Sequence, residues 1–169
     1  MNKALFLDRD GIINVDRHYV HTPEEFVFVP GIFDLCRRAA ALGYKIIVVT
    51  NQSGIERGYF TEEEFLGLTR WMEEAFLREG VTISKVYYCP TLSGGDRKPN
   101  PGMFLKARDQ FALDLAGSCS LGDQGRDIEA ARRAGVGKNV LLVTGKTGDI
   151  RTIRAEKVIR SLSEMENLL

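Results

Sequence analysis

The sequence has no excess of charge of either sign. Its 169 residues include 23 Lys and Arg against 23 Asp and Glu, so the formal net charge is zero. A chain without a basic surplus has no general electrostatic attraction for nucleic acid or for an anionic membrane surface. We therefore expect neither of these partners, and any anion site has to be local.

Cysteine is scarce and long apolar runs are missing. Cys36, Cys89 and Cys119 are odd in number and widely spaced, which argues against a disulfide scaffold and favours a reducing compartment. The apolar run at residues 4–7 is too short for a signal peptide, and no run approaches the length of a membrane span. We expect a cytoplasmic protein that is a monomer.

Short apolar runs alternate with segments of helical spacing along the whole chain. The length is that of one domain, and neither a repeat nor a linker interrupts it, so we expect a single domain over residues 1–169. Strands are predicted at 4–7, 45–50, 85–89, 119–122, 140–144 and 157–159, and helices at 32–42, 61–79, 103–111, 127–134 and 161–168. This alternation predicts an α/β fold with a doubly wound, mostly parallel, Rossmann-like sheet.

Two carboxylates follow directly after the first predicted strand. Asp8 and Asp10 are one residue apart, so they lie on the same side of an extended chain. Gly11 then allows the backbone to turn sharply. Taken alone, this stretch is equally well explained as a polar turn.

Polar residues also follow the later strands, and this favours a functional site. The groups concerned are Thr50, Asn51, Gln52 and Ser53 after the second strand, Arg97 and Lys98 beyond the third, and Asp123 and Asp127 after the fourth. Ligands of open α/β sheets bind outside the carboxyl ends of the strands, so these groups should meet at one edge. Asp127 is explained equally well as a helix cap or as a ligand to metal through water.

The chemistry of this set is that of a metal-dependent phosphomonoesterase. Carboxylates from two strands suit Mg²⁺, and one carboxylate can attack phosphorus to form an aspartyl-phosphate. A lysine stabilises charge on the transferring group, while a second acid protonates the leaving alcohol and later deprotonates water.

The order of motifs resembles that of the haloacid dehalogenase (HAD) superfamily of phosphohydrolases. The four motifs are Asp-x-Asp-Gly, strand-Thr-Asn, Lys-Pro and Gly-Asp-x-x-x-Asp. A closer resemblance, over nearly the whole chain, is to the D-glycero-D-manno-heptose 1,7-bisphosphate 7-phosphatases of the histidinol-phosphatase subgroup. It is carried by the strings FLDRDGIINVD, VVTNQSGIERGYF, YYCP, RKPNPGM and LGD.

The resemblance implies a role for each matching residue. Asp8 is the expected nucleophile, Asp10 the acid/base, and Thr50 and Lys98 the further catalytic groups. The expected Mg²⁺ ligands are Asp8, the Asp10 backbone carbonyl and Asp123, and the expected substrate contacts are Asp16, Tyr19, Asn51, Gln52, Ser53 and Arg97. The resemblance also implies minimal cap loops and a phosphorylated sugar as substrate, which places the reaction in the supply of precursors for a surface polysaccharide.

Two departures from the family pattern bear on metal and substrate. Members commonly carry a zinc loop after the third strand, but only Cys89 of its ligands is present here, and Thr91 stands where the first His is expected. A lone thiolate does not make a tetrahedral zinc site, so we expect no zinc. Gln124 occupies a position where related enzymes often have Lys, and Arg126 is a candidate to replace that charge.

Three alternatives remain open from the sequence. Histidinol-phosphate phosphatase, or another small sugar-phosphate phosphatase, shares the core motifs. A phosphotransfer receiver uses similar groups, although its phosphoacceptor lies on a later strand than the first. A catalytically silent binding module is the third. His18 and His21 lie in an irregular segment, where a histidine more often belongs to a plain loop than to a site.

Overall fold

The protein is built around one parallel sheet. A computed structural model describes residues 2–169. Its strands are β1 (Lys3–Leu7), β2 (Tyr44–Asn51), β3 (Ile83–Cys89), β4 (Cys119–Gly122), β5 (Lys138–Leu142) and β6 (Lys157–Ile159). They lie in the order β3-β2-β1-β4-β5-β6, and every neighbouring pair is parallel. The predicted α/β fold with a doubly wound sheet is confirmed.

Helices connect the strands, as parallel pairing requires. The connections from β1 to β5 contain α1 (Ile32–Ala41), α2 (Glu62–Arg78), α3 (Gly102–Phe111) and α4 (Gly125–Ala134) in turn. A 3₁₀ turn at Ile150–Thr152 lies between β5 and β6, α5 (Leu162–Glu166) follows β6, and another 3₁₀ turn lies at Pro23–Glu25. The bounds predicted for β4 and β6 are those observed, whereas β5 ends at Leu142 rather than at Thr144. Within residues 2–169, no helix combines the length and the apolar character needed to cross a membrane.

The two faces of the sheet bury separate apolar clusters. Successive side chains of a strand point to opposite faces, so Leu5 and Leu7 join the cluster under α1, α2 and α5, while Ala4 and Phe6 join the cluster under α3 and α4. All four side chains are fully buried. Burying a leucine or phenylalanine contributes about 2 kcal/mol, and β1 is therefore anchored from both sides.

Local sequence signals fix where the helices begin and end. At the start of α2, the Thr61 hydroxyl accepts from the Glu64 N–H at 3.0 Å, and the Glu64 carboxylate accepts from the Thr61 N–H at 3.1 Å. This reciprocal arrangement is the capping box that the sequence predicts. Gly135 ends α4 in the left-handed conformation, with φ +97°, which glycine adopts at low cost.

The strand order determines where a site can form. The chain moves outward from β1 to β3 and then returns to place β4 on the other side of β1. This reversal leaves a crevice between the carboxyl ends of β1 and β4, which is the usual ligand position in such sheets. The tips of β1, β2 and β4 are adjacent there.

Candidate active site

The turn after β1 brings the first motif against the fourth. Gly11 has φ +93°, and a Cβ atom added to it would lie 2.3 Å from Asp123 Oδ2. Only glycine tolerates both this conformation and this close approach. Asp8 and Asp10 therefore leave the tip of β1 beside the carboxylate that follows β4.

Lys98 is buried at the centre of this edge. Its Nζ donates to Asp8 Oδ1 at 3.1 Å and to the Val49 carbonyl at 2.9 Å, and it lies 2.7 Å from Asp127 Oδ1. Asn51 holds the lysine backbone, because its Oδ1 accepts from the Lys98 N–H at 2.9 Å while its Nδ2 donates to the Lys98 carbonyl at 3.2 Å. The ammonium is thus fixed at the tip of β1 by residues from β2 and α4.

Asp127 also caps the N-terminus of the helix that carries it. Its Oδ2 accepts from the Gln124 N–H at 3.0 Å, at the N-terminus of α4. Of the two interpretations left open by the sequence, helix capping is thus observed directly. The same carboxylate is the nearer of the two acids that pair with Lys98.

Three acids form a cluster of hard oxygen ligands. Asp8, Asp123 and Asp127 each present a carboxylate oxygen within 4.8 Å of the others. Asp123 is fully buried, and its Oδ2 accepts from Thr144 Oγ1 at 2.8 Å. Its Oδ1 has no hydrogen-bond partner among residues 2–169. A buried carboxylate oxygen without a partner costs free energy, and a divalent cation is the group that these donors fit.

The electrostatics of the cluster also favour a cation. Burial raises the pKa of Asp8 well above its usual value, and the neighbouring carboxylates add to this effect while Lys98 opposes it. Burial, followed by the charge of Asp127, raises the pKa of Asp123 to about 7. For Lys98, burial alone would lower the pKa, but Asp127 and Asp8 outweigh it and raise the value. One ammonium does not compensate these acids fully, and a bound cation would restore the balance.

The Asp10 carboxylate is held by three hydrogen-bond donors. Asp10 Oδ1 accepts from Arg9 Nη2 at 2.9 Å and from Asn14 Nδ2 at 3.0 Å, and Oδ2 accepts from Gln52 Nε2 at 2.9 Å. Gln52 Nε2 also donates to Thr50 Oγ1 at 3.0 Å. The orientation of Asp10 is therefore set by Gln52, directly after β2, and by the turn that contains Asp10 itself.

A cavity of about 340 Å³ opens above these groups, which is a common size for a small-molecule site. Nine of the predicted site residues line it, namely Asp8, Asp10, Asp16, Tyr19, Asn51, Gln52, Ser53, Arg97 and Lys98. Thr50 and Asp123 do not line it, because both are fully buried behind it. The predicted residues therefore meet at one place, with two of them beneath the cavity.

Cations from four separate segments also line the cavity. Arg57 and Arg126 are exposed, whereas Arg97 and Lys146 are half-buried. The pKa of Arg97 is lowered, first by burial and then by the charge of Arg126, with a smaller contribution from Arg57. Guanidinium groups that repel one another around a cavity favour an anion between them.

Sequence reasoning missed several residues at this site. Thr144 follows β5, and its hydroxyl donates to Asp123. Its position after a strand would have marked it as a site residue if β5 had been predicted to end at Leu142. Lys146 lies 2.9 Å from His18 Nδ1, and both side chains line the cavity. His18 thus lies at the site, whereas the His21 ring stacks on Phe60, with ring centroids 5.3 Å apart.

The fold and this site define a phosphatase of the HAD superfamily. The sequence profile of the HAD-hydrolase-like family matches residues 96–165, the segment that contains Lys98, Asp123 and Asp127. The crystal structure of D,D-heptose 1,7-bisphosphate phosphatase from B. bronchiseptica, complexed with magnesium and phosphate, superposes with a TM-score of 0.87 at 29% identity. The match covers 98% of this chain and 97% of that one.

Sequence relatives make the assignment narrower. The D-glycero-alpha-D-manno-heptose-1,7-bisphosphate 7-phosphatase of Burkholderia mallei is 47% identical over 95% of this chain and 89% of its own length. The D-glycero-beta-D-manno-heptose-1,7-bisphosphate 7-phosphatase of Haemophilus influenzae is 42% identical over 100% of this chain and 97% of its own length. The chain belongs to the family of D-glycero-D-manno-heptose-1,7-bisphosphate 7-phosphatases. This confirms the resemblance carried by the motifs, and it leaves the receiver and the silent binding module without support.

Proposed function

We propose that the protein removes the 7-phosphate of D-glycero-D-manno-heptose 1,7-bisphosphate through an aspartyl-phosphate intermediate. The observation that carries the proposal is the buried pair of Lys98 and Asp8, 3.1 Å apart at the tip of the central strand. The cavity above Asp8 is lined by cations, which supports binding of a substrate with two phosphates. Relatives at 42–47% identity that carry the name of this activity support the choice of sugar.

Asp8 and Asp10 carry the two chemical steps of the proposal. In the first, an oxygen of Asp8 bonds to phosphorus, the bond from phosphorus to the sugar oxygen breaks, and Asp10 gives its proton to that oxygen. In the second, Asp10 takes a proton from water, whose oxygen bonds to phosphorus while the bond to Asp8 breaks. Inorganic phosphate leaves and the Asp8 carboxylate is regenerated.

Lys98 and Thr50 support the transfer. The Lys98 ammonium is positioned by Asp8, Asp127 and Val49, and we assign it to the charge that develops on the transferring oxygens. Thr50 lies behind Gln52, to which its hydroxyl is hydrogen bonded. We assign Thr50 to the same oxygens through its hydroxyl.

Mg²⁺ is the cofactor we propose, held by the side chains of Asp8 and Asp123 and by the backbone carbonyl of Asp10. The partnerless Asp123 Oδ1 supports this, as does the magnesium complex of the structural relative. When bound, the ion supplies the positive charge that lets a carboxylate approach an anionic phosphate.

We propose that the loop after β3 carries no zinc. Cys89 Sγ lies 3.1 Å from Thr91 Oγ1, and Arg97 Nη1 donates to the Thr91 carbonyl at 3.3 Å. Asn100 Nδ2 donates to the Gly95 carbonyl at 3.0 Å. These hydrogen bonds support a loop that is braced without metal. Elemental analysis that finds one zinc per chain would overturn this assignment.

We also make proposals for the other substrate contacts, the oligomeric state and the cellular location. We assign Asp16, Tyr19, Asn51, Gln52, Ser53 and Arg97 to substrate binding, since all six line the cavity. We also propose a monomer with a single domain. A cytoplasmic location is proposed as well, which the three free, buried cysteines support. Light scattering after size exclusion measures the oligomeric state.

The test is phosphate release from a panel of esters with and without Mg²⁺. The panel contains heptose 1,7-bisphosphate in both anomers, other sugar bisphosphates and histidinol phosphate. We expect a heptose bisphosphate to have the highest kcat/KM, and activity to require Mg²⁺. A preference for histidinol phosphate would replace the substrate while keeping the chemistry, and a lack of hydrolysis of every ester would refute the proposal.

A further inference from the structure

Arg9, between the two acids of the first motif, does not face the cavity. Its side chain is buried, with only 1% of the residue exposed. The guanidinium carbon lies 5.9 Å from the ring centroid of Phe26 and 5.9 Å from that of Phe65. Aromatic faces offset part of the cost of burying a cation, but a buried guanidinium still requires an explanation.

Within residues 2–169, the side-chain hydrogen bonds of Arg9 all run through one nitrogen. Nη2 donates to Asp10 Oδ1 at 2.9 Å and to the Val20 carbonyl at 2.7 Å. Nε and Nη1 are buried and, within residues 2–169, have no hydrogen-bond partner. A side chain that served stability alone would satisfy more of its donors, because unpaired buried donors destabilise the fold.

The two acceptors belong to different parts of the site. Asp10 is the acid/base of the proposed reaction. Val20 ends the segment of residues 16–20, in which His18 and Tyr19 have φ of +61° and +55° and both line the cavity. Left-handed backbone at two consecutive residues other than glycine is held only where surrounding contacts impose it, and such strain clusters at binding sites.

We propose that Arg9 is a positioning residue that aligns the Asp10 carboxylate with the strained 16–20 segment. One nitrogen atom then fixes both the group that moves protons and the backbone that carries His18 and Tyr19 against the substrate. This inference rests on the proposed function, because it takes Asp10 as the acid/base. Misplacing a catalytic group by a fraction of an ångström is enough to slow a reaction substantially.

The decisive experiment compares two leaving groups in the variant Arg9→Met. Methionine fills apolar space and removes the unpaired donors, so the fold should persist. A sugar alkoxide needs the proton of Asp10 to leave, whereas the weakly basic phenolate of p-nitrophenyl phosphate does not. Because kcat/KM reports the steps through departure of the alcohol, we expect it to fall about 100-fold for the sugar ester. For the aryl ester it should change less than about threefold, because no proton is needed there.

A second readout tests the contact with Val20. Releasing that carbonyl should loosen the 16–20 segment, so KM for the sugar bisphosphate should rise along with the fall in kcat. Arg9→Lys keeps the charge but ends one bond shorter. Its kcat/KM for the sugar ester should therefore lie between those of the wild type and Arg9→Met.

The controls separate positioning from folding. Arg37→Met removes an exposed arginine that pairs with Asp34 and Glu79 and does not line the cavity, and it should leave both kinetic constants unchanged. Circular dichroism and melting curves check that each variant is folded, and if Arg9→Met is not, the kinetics of Arg9→Lys decide.

Equal losses on the two esters in a folded variant, or no loss on either, would overturn the positioning role. Failure of the wild type on heptose bisphosphate would instead refute the proposed substrate. The comparison of leaving groups then still holds for any alkyl phosphate that the wild type hydrolyses.

Discussion

Asp127 lies closer to the Lys98 ammonium than Asp8 does, at 2.7 Å against 3.1 Å. Asp127→Asn keeps an oxygen that can accept from the Gln124 N–H but removes the charge that compensates Lys98. We expect a loss of about 2 kcal/mol in the free energy of unfolding and a fall in kcat/KM of about tenfold or more. Denaturant titration and steady-state kinetics measure these two quantities.

The matched control for Asp127→Asn is Glu129→Gln. Glu129 lies on the same helix and pairs with Arg133 at the surface, where one ion pair contributes about 0.5 kcal/mol or less. If both variants behave like the wild type, Asp127 does not hold the lysine in solution.

Asp8 and Asp10 should differ in the step that each supports. Asp8→Asn should abolish the covalent intermediate, because an amide does not attack phosphorus. Asp10→Asn should slow hydrolysis of sugar esters by about 10²- to 10⁴-fold and still form the intermediate with an aryl phosphate. Acid quenching with radiolabelled substrate detects the intermediate. Asp109→Asn, at an exposed pair with Arg108 on α3, should change neither result.

Two glycines of similar conformation separate backbone strain from the close approach at the site. Gly11 has φ +93° and Gly43 has φ +86°. A Cβ atom at Gly11 would meet Asp123, whereas one at Gly43 would have no atom of the described part of the chain within 4 Å. Either alanine substitution should cost about 1 kcal/mol of stability from the left-handed backbone. Only Gly11→Ala should also lower kcat/KM, by about tenfold or more. Equal activities of the two variants would contradict the geometry of this turn.

Arg126 is expected to bind the phosphate that does not react. It lines the cavity with Arg97 and Arg57, and the neighbouring Gln124 carries no charge. Arg126→Gln should raise KM for the bisphosphate about tenfold, because one charge-assisted hydrogen bond is lost. It should leave KM for heptose 7-phosphate unchanged. Arg132→Gln, on the same helix but paired with Glu156, provides the control, and equal effects on both substrates would contradict the assignment.

Thr144 should tune metal affinity through Asp123. Its hydroxyl donates to Oδ2, and Oδ1, which has no hydrogen-bond partner within residues 2–169, is available to the proposed Mg²⁺. Thr144→Val should weaken Mg²⁺ binding about tenfold or more, as loss of a hydrogen bond to a ligand usually does. The melting temperature of the wild type should fall on chelation and recover with Mg²⁺. In Thr144→Val a higher Mg²⁺ concentration should be needed for the same recovery, whereas Thr152→Val, which breaks an exposed turn contact to Asp149, should match the wild type.

The strands, and the polar residues at their carboxyl ends, could be predicted from the sequence. Continuous β-branched runs located β2, and polar groups after β1, β2 and β4 located Asp8, Thr50 and Asp123 at one edge. The bounds of β5 were predicted wrongly because Val143 and Thr144 favour strands by propensity. In the structure, the Thr147 hydroxyl accepts from the Thr144 N–H at 2.8 Å, and the Thr144 carbonyl accepts from the Thr147 N–H at 3.2 Å. At residues 144–147, a turn stabilised by a side-chain hydrogen bond therefore forms in place of the strand that the residue propensities favour.

Other features depend on contacts between residues far apart in sequence. Arginine is usually exposed, so nothing in the sequence marks Arg9 as buried between Phe26 and Phe65. The preference of Lys98 for Asp127 over Asp8 depends on how α4 packs, because the two acids follow different strands and the sequence does not reveal which one is nearer. The two hydrogen bonds between the Asn51 side chain and the Lys98 backbone likewise form only when β2 and the loop after β3 are adjacent.

Because β1 lies at the centre of the sheet, catalytic activity depends on the folding of the chain on both sides of it. Asp10 gains Gln52, 42 residues downstream, and Asp8 gains Lys98, 90 residues downstream, only when β2 and β4 have docked on the two sides of that strand. Neither the segments on the β2 side of β1 nor those on its β4 side contain a complete site by themselves. Partial unfolding should therefore abolish turnover in the affected molecule rather than slow it. Residual activity after heating or limited proteolysis should therefore count the surviving native molecules.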